Sequence, residues 1–85
     1  MPRFVDYHAK MPEVTPEMAQ MMQERIRSRK ADEFGAVAVE IYMGKGEAFC
    51  VTDAPNAQAV VKSHTSKGFP LDFKEVHQVS SLSAA

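Results

Sequence analysis

Hydrophobic and polar positions alternate from Arg3 to Ala9, so that in an extended chain Phe4, Asp6 and His8 face one way and Val5, Tyr7 and Ala9 the other. A first strand is expected there. Lys10 to Val14, interrupted by Pro12, reads as a connection. Thr15-Pro16-Glu17 then opens a helix with a capping hydroxyl, a proline at the first helical position and an acid at the positive end of the dipole. Met18, Met21, Met22 and Ile26 follow at helical spacing and predict one buried stripe, filled by pliable thioether side chains that suit irregular cores. Arg25, Arg27, Arg29 and Lys30 gather toward the end of this helix, where cations favour the negative pole. They are spread round the axis without interleaved aromatics, which describes a solvated face better than a phosphate-binding patch. Gly35 is the expected stop.

Alternation returns from Ala36 to Met43, with Val37, Val39, Ile41 and Met43 on one face and Ala36, Ala38, Glu40 and Tyr42 on the other. Gly44-Lys45-Gly46 reads as a short hairpin loop, and Glu47 to Thr52 as a returning third strand. The stretch FCVTDAPNAQAVVKSH, Phe49 to His64, runs strand, turn and helix together: Asp53-Ala54-Pro55-Asn56 breaks the strand and Asn56 caps the helix. That helix is expected from about Ala57 to Lys67, with Gly68 as its left-handed cap and Val60, Val61 and His64 on or beside its apolar stripe. Phe69-Pro70-Leu71 is expected to cross the surface before a final strand from Lys74 to Ser80. The small polar tail 80–85 is expected to be flexible.

This order of elements predicts an α+β, ferredoxin-like βαββαβ fold, a four-stranded antiparallel sheet with two helices on one face. Residues 1–85 read as a single domain. A chain this short buries a smaller share of its surface than a longer one, and one sheet face stays open unless a second subunit covers it. A homodimer through the open sheet face is therefore expected. Hydrophobic content of 45% beside 25% charged residues describes a globular chain, and no apolar run nears the ~20 residues of a membrane span. A net charge of −1 supplies no general attraction to nucleic acid or anionic lipid, and the third strand offers only Phe49 for stacking on RNA bases. Pro2-Arg3 is not followed by the apolar core of a secretory signal, and a single cysteine cannot form an internal disulfide. Both fit a cytoplasmic location.

Asp6 and His8, two apart in a strand, leave the same face with backbones about 7 Å apart, near enough to approach one ion together. They read equally as polar residues on a wet sheet face. Cys50 is either a small buried residue or a ligand, and His64 either a ligand or a helix histidine donating to a backbone carbonyl. Glu40 reads as the polar side of an edge strand. No pair has the ligand spacing of a zinc ribbon or the twin-cysteine loop of ferredoxin-like copper carriers. Nor is there a phosphate-cradling glycine loop or a signature for nicotinamide or flavin. An enzymatic alternative rests on fold-level analogy: a cofactor-free isomerase or monooxygenase with a cavity on the open sheet face of a dimer, His8 as base, Asp6 as its partner and Tyr42 as donor.

MPRFVDYHAKMP, DEFGAVAVEIY and FCVTDAPNAQAVVKSH together resemble the short ferredoxin-like proteins catalogued as a domain of unknown function, a family that includes bacterial nickel-binding proteins. The resemblance covers Met1 to about Val79. It implies a homodimer built on the open sheet face and a divalent metal, nickel foremost, held by surface groups. The matching motif positions are Asp6, His8, Cys50 and His64, with Glu40 as a further member and His77 at a loosely patterned position. On this resemblance the chain is expected to be a cytoplasmic, non-enzymatic protein that takes up nickel or another divalent transition metal for sequestration, buffering or detoxification. Imidazole and carboxylate oxygen suit borderline divalent ions, and affinity should fall below the ~6.5 at which an unperturbed imidazole protonates. The expected seat is the uncovered side of the sheet, where Asp6 and His8 would stand beside their copies in a partner.

Overall fold

A central strand must satisfy hydrogen-bonding groups on both of its edges, and the alternating opening segment does so. In the computed structural model, which describes residues 1–84, β1 (Arg3–His8) pairs antiparallel with β3 (Ala48–Asp53) on one side and β4 (Val76–Val79) on the other. Asp6 stands opposite Cys50 in the first pairing and opposite Val76 in the second. β2 (Val37–Met43) lies outside β3, giving the order β2-β3-β1-β4. With α1 (Pro16–Ser28) and α2 (Ala57–Ser66) this is the ferredoxin-like α+β arrangement expected from the element order. The expectation of a flexible tail extends to Ala85, which lies outside the described residues.

Both helices begin at the residues whose chemistry favours it. Thr15 Oγ1 accepts from the Met18 amide at 3.2 Å, and Asn56 Oδ1 from the Ala59 amide at 2.9 Å. Their ends differ. Gly68 takes a φ of +86° just past α2, as expected of a glycine cap. Helix α1 stops instead on Arg29, itself left-handed at φ 55°, well before Gly35. Gly35, at φ +80°, serves a separate turn in which its amide donates to the Asp32 carbonyl at 3.0 Å.

The apolar core is small and sits under α2. Phe4, Ala36, Ala54, Ala59, Val60 and Leu71 form it, with Phe34, Ala57, Val61 and Val76 at its edge. Burying Phe4 and Val60 contributes roughly 1.5–3 kcal/mol each. Leu71 is part of this core and does not cross the surface, because its segment turns inward before the 3-10 turn Phe73–Glu75 that leads into β4.

Three further expectations are revised. The register of β2 against β3 slips between Ala38 and Glu40, a β-bulge that leaves Val39 as the extra residue. Ala38 and Ile41 consequently oppose Thr52 and Cys50, while Glu40 and Tyr42 oppose Val51 and Phe49. Strict alternation across Ala36 to Met43 therefore does not hold. Helix α1 buries none of its residues fully: Met18, Met22 and Ile26 are half-buried and Met21 is 67% exposed, so the methionine stripe is no core. Finally, Phe4, Asp6 and His8 point beneath the helices and not onto the uncovered face, since Phe4 belongs to the core under α2. Among the described residues no helix is long and apolar enough to cross a membrane.

Candidate metal centre

Successive inward positions of β1 run from apolar to ionisable. Phe4 closes the core, Asp6 follows with no exposed surface, and His8 is 5% exposed. The inward positions of β3 are Ala48, Cys50 and Thr52, all buried, and register sets Cys50 directly across from Asp6. Ala48, the smallest of them, lies opposite His8. Helix α2 supplies the third wall: Val60 and His64 are four residues apart and share its inward side. His64 is thereby brought over the two strands, its ring 5.1 Å from that of His8 between centroids.

The side chains meet as a group. Donor atoms of Asp6, His8, Cys50 and His64 all lie within 4.8 Å of one another. His8 Nε2 is 2.7 Å from Asp6 Oδ1, and His64 Nε2 is 3.6 Å from Asp6 Oδ2. The shorter separation is not aligned as a hydrogen bond. Both Asp6 oxygens and His8 Nε2 are buried without a hydrogen-bond partner. An unpartnered buried carboxylate costs several kcal/mol, and native proteins tolerate one where something else satisfies it. A metal ion could do so: bonds of ~2.0–2.3 Å imply separations of about 3–4 Å between donors, and these atoms, from 2.7 Å apart to within 4.8 Å, bracket that range.

Hydrogen bonding and charge prepare the remaining donors. His64 Nδ1 donates to the Val60 carbonyl at 2.8 Å, which leaves the Nε2 lone pair toward Asp6. Burial holds the His64 imidazole below its ordinary pKa, against the opposing pull of the Asp6 charge and the Val60 bond. Burial likewise pushes the Cys50 thiol up to about 12, and the neighbouring Asp6 charge and a thiol contact to its carboxylate, too irregular to count as a hydrogen bond, add to this. Cys50 is therefore a thiol until a cation replaces its proton. A cleft of about 70 Å³, bounded by α1, α2 and the sheet, reaches the group past Met11, Met22 and Arg25.

The structure gathers four of the five residues singled out as metal ligands and leaves Glu40 apart. The bulge in β2 turns Glu40 to the opposite sheet face, where its Oε1 accepts from the Ile41 amide at 2.8 Å. His77, opposite Val5 in β4, is exposed on that same far face. Tyr42 also lies there, so the trio His8, Asp6 and Tyr42 invoked for catalysis is split across the sheet. Asp6, His8 and Cys50 are buried beneath the helices and His64, on α2, is half-buried, so the group is not a set of surface residues. Sequence reasoning marks the cleft residues Met22 and Arg25 only as core and solvated face; the signal for a shared role is their spacing with Met18 on one side of α1.

No family model and no curated protein matches the chain. Among solved structures, a crystal structure of SCO4226 from Streptomyces coelicolor A3(2) is similar, with a TM-score of 0.66 at 23% sequence identity. The likeness covers 93% of this chain and 96% of that one, and it shows that the two share a fold.

Proposed function

We propose that this protein binds a divalent transition-metal ion through Asp6, His8, Cys50 and His64, and that nickel is the ion it takes up for sequestration or buffering. The observation that carries the proposal is the unpartnered Asp6 carboxylate and His8 Nε2, buried within reach of a thiol and a second imidazole. Two imidazoles, one sulfur and one carboxylate form a borderline donor set, for which nickel stands high in the affinity order. The family resemblance favours nickel within that class. Because Cys50 must lose its proton, uptake releases protons and tightens as pH rises.

Calorimetric titration with nickel, on the parent and on His8→Ala, tests this directly. The parent binds one ion per chain in the micromolar range or tighter, and the variant loses at least about 100-fold, since even outer-sphere partners cost ~10–100-fold. No uptake by the parent, or equal uptake by the variant, would rule the site out.

The homodimer belongs to the same proposal as a separate element. All four donors come from one chain and one side of the sheet, so metal uptake does not need the partner. Support for self-association is the cluster of aromatics on the far face, where Tyr42 is 61% and Phe49 43% exposed and Tyr7 packs against Phe49 at 4.9 Å between ring centroids, beside the polar Glu40 and His77. Sedimentation equilibrium should find a dimer for the parent and a monomer for Phe49→Glu. A monomeric parent refutes the association and leaves the metal reading intact.

A further inference from the structure

A helix stripe that fails to reach the core leaves space beneath it. Between that stripe of α1 and the end of α2 is a cleft of about 220 Å³, lined by Met18, Met21, Met22, Arg25, Lys67 and Phe69. Its walls are apolar and adaptable, because unbranched thioether side chains can repack around an occupant. Its charge is not balanced. Arg25 and Lys67 are cations and Asp32 is the acid between them, 3.6 Å from Arg25 Nη2 and 2.8 Å from Lys67 Nζ.

The two cations are not equivalent. Lys67 Nζ reaches Asp32 Oδ2 at 2.8 Å, the Ser63 hydroxyl at 3.1 Å and the Ser63 carbonyl at 3.2 Å, which uses its three donors. The Arg25 guanidinium pairs with Asp32 only through Nη2 at 3.6 Å, beyond hydrogen-bond distance, so its planar fork keeps donors for a carboxylate. Arg25 also lines the smaller cleft above the buried donors, and so stands where the two spaces join.

We infer that this cleft binds a short organic anion with an apolar tail, its carboxylate on Arg25 and its tail among Met18, Met21, Met22 and Phe69. A neutral apolar molecule would leave the surplus positive charge uncompensated, and an inorganic anion would gain nothing from the methionines. A volume below the ~300–1,000 Å³ of drug-sized pockets restricts the ligand to a short chain. The inference does not rest on metal uptake, and its test uses metal-free protein, so either can fail alone.

Hexanoate is titrated into the full chain while the methionine methyl resonances are followed by NMR, with hexanol as the neutral counterpart. Saturable shifts of the Met18, Met21 and Met22 methyls are expected with hexanoate, and binding of hexanol weaker by roughly tenfold. Arg25→Gln should weaken hexanoate by about the same factor and abolish the preference, while Arg25→Lys, which keeps the charge, should retain it in part. Unmoved methyls, equal binding of hexanol, or unchanged affinity in Arg25→Gln would each overturn the proposal. So would methyl shifts that follow protein concentration alone, since the cleft would then be filled by a second copy.

Discussion

A single carbonyl decides which nitrogen of His64 is available. Val60 O accepts a hydrogen bond from Nδ1–H at 2.8 Å, so the neutral ring carries its lone pair on Nε2, 3.6 Å from Asp6 Oδ2. Long-range proton–nitrogen NMR on the metal-free protein above neutral pH should find the His64 proton on Nδ1. A proton on Nε2 would mean that the ring cannot offer that atom to an ion. The two meanings that the sequence allows for this residue, a helix histidine bonded to its own backbone and a ligand, are here compatible, one for each ring nitrogen. Sequence spacing alone presents them as alternatives because it carries no information on ring rotation. Cys50 behaves similarly. It is as buried as a free cysteine usually is, yet it stands across from Asp6, a relation fixed by strand register and invisible in spacing.

At the scale of elements, Asp32 holds together the parts that frame the site. Its carboxylate accepts from the amides of Phe34 and Ala36 at 2.9 and 3.0 Å, from the Ser63 hydroxyl, and from Lys67 at 2.8 Å. The approach to β2 is thereby fastened to α2. Burial by itself would raise the Asp32 pKa, but these donors outweigh it and hold the group well below the usual carboxylate range. A depressed folded pKa contributes stability above the unfolded value of ~3.9 and loses it as pH falls through the folded one. Asp32→Ala should therefore cost about 2–4 kcal/mol near neutral pH, with the gap from the parent narrowing as pH falls below ~4. Urea unfolding at both conditions measures this, and a gap independent of pH would refute it. None of this network is periodic, which is why the sequence does not announce it. The elements themselves are legible, since strand alternation and the caps Thr15 and Asn56 are local signals. What escapes is non-local: the bulge at Val39, set by pairing with β3, and the half-buried state of α1, none of whose residues reaches the core.

For the molecule as a whole, the decisive question is which face of the sheet carries the ionisable pair. Alternation puts Asp6 and His8 in phase with Phe4 but Val5 and Tyr7 in the other phase, so both phases carry an aromatic and the sequence does not say which one the helices cover; Phe4 joining the core beneath α2 settles it. Burial changes the energetics. On an open face the pair would be solvated and an ion would add little to stability, whereas here folding confines the Asp6 carboxylate and His8 Nε2 without hydrogen bonds beside a second imidazole, a group that an ion of suitable size could satisfy together. Binding to the folded state alone then becomes folding free energy, about 2.7 kcal/mol when free metal exceeds Kd by ~100-fold. For so short a domain each kcal/mol moves the midpoint by roughly 4–8 °C, so nickel should raise Tm by about 10–20 °C. His8→Ala should lose that increment while unfolding cooperatively without metal. A parent whose Tm ignores nickel, or a variant that gains as much from it, would place the ion elsewhere than between these strands and α2.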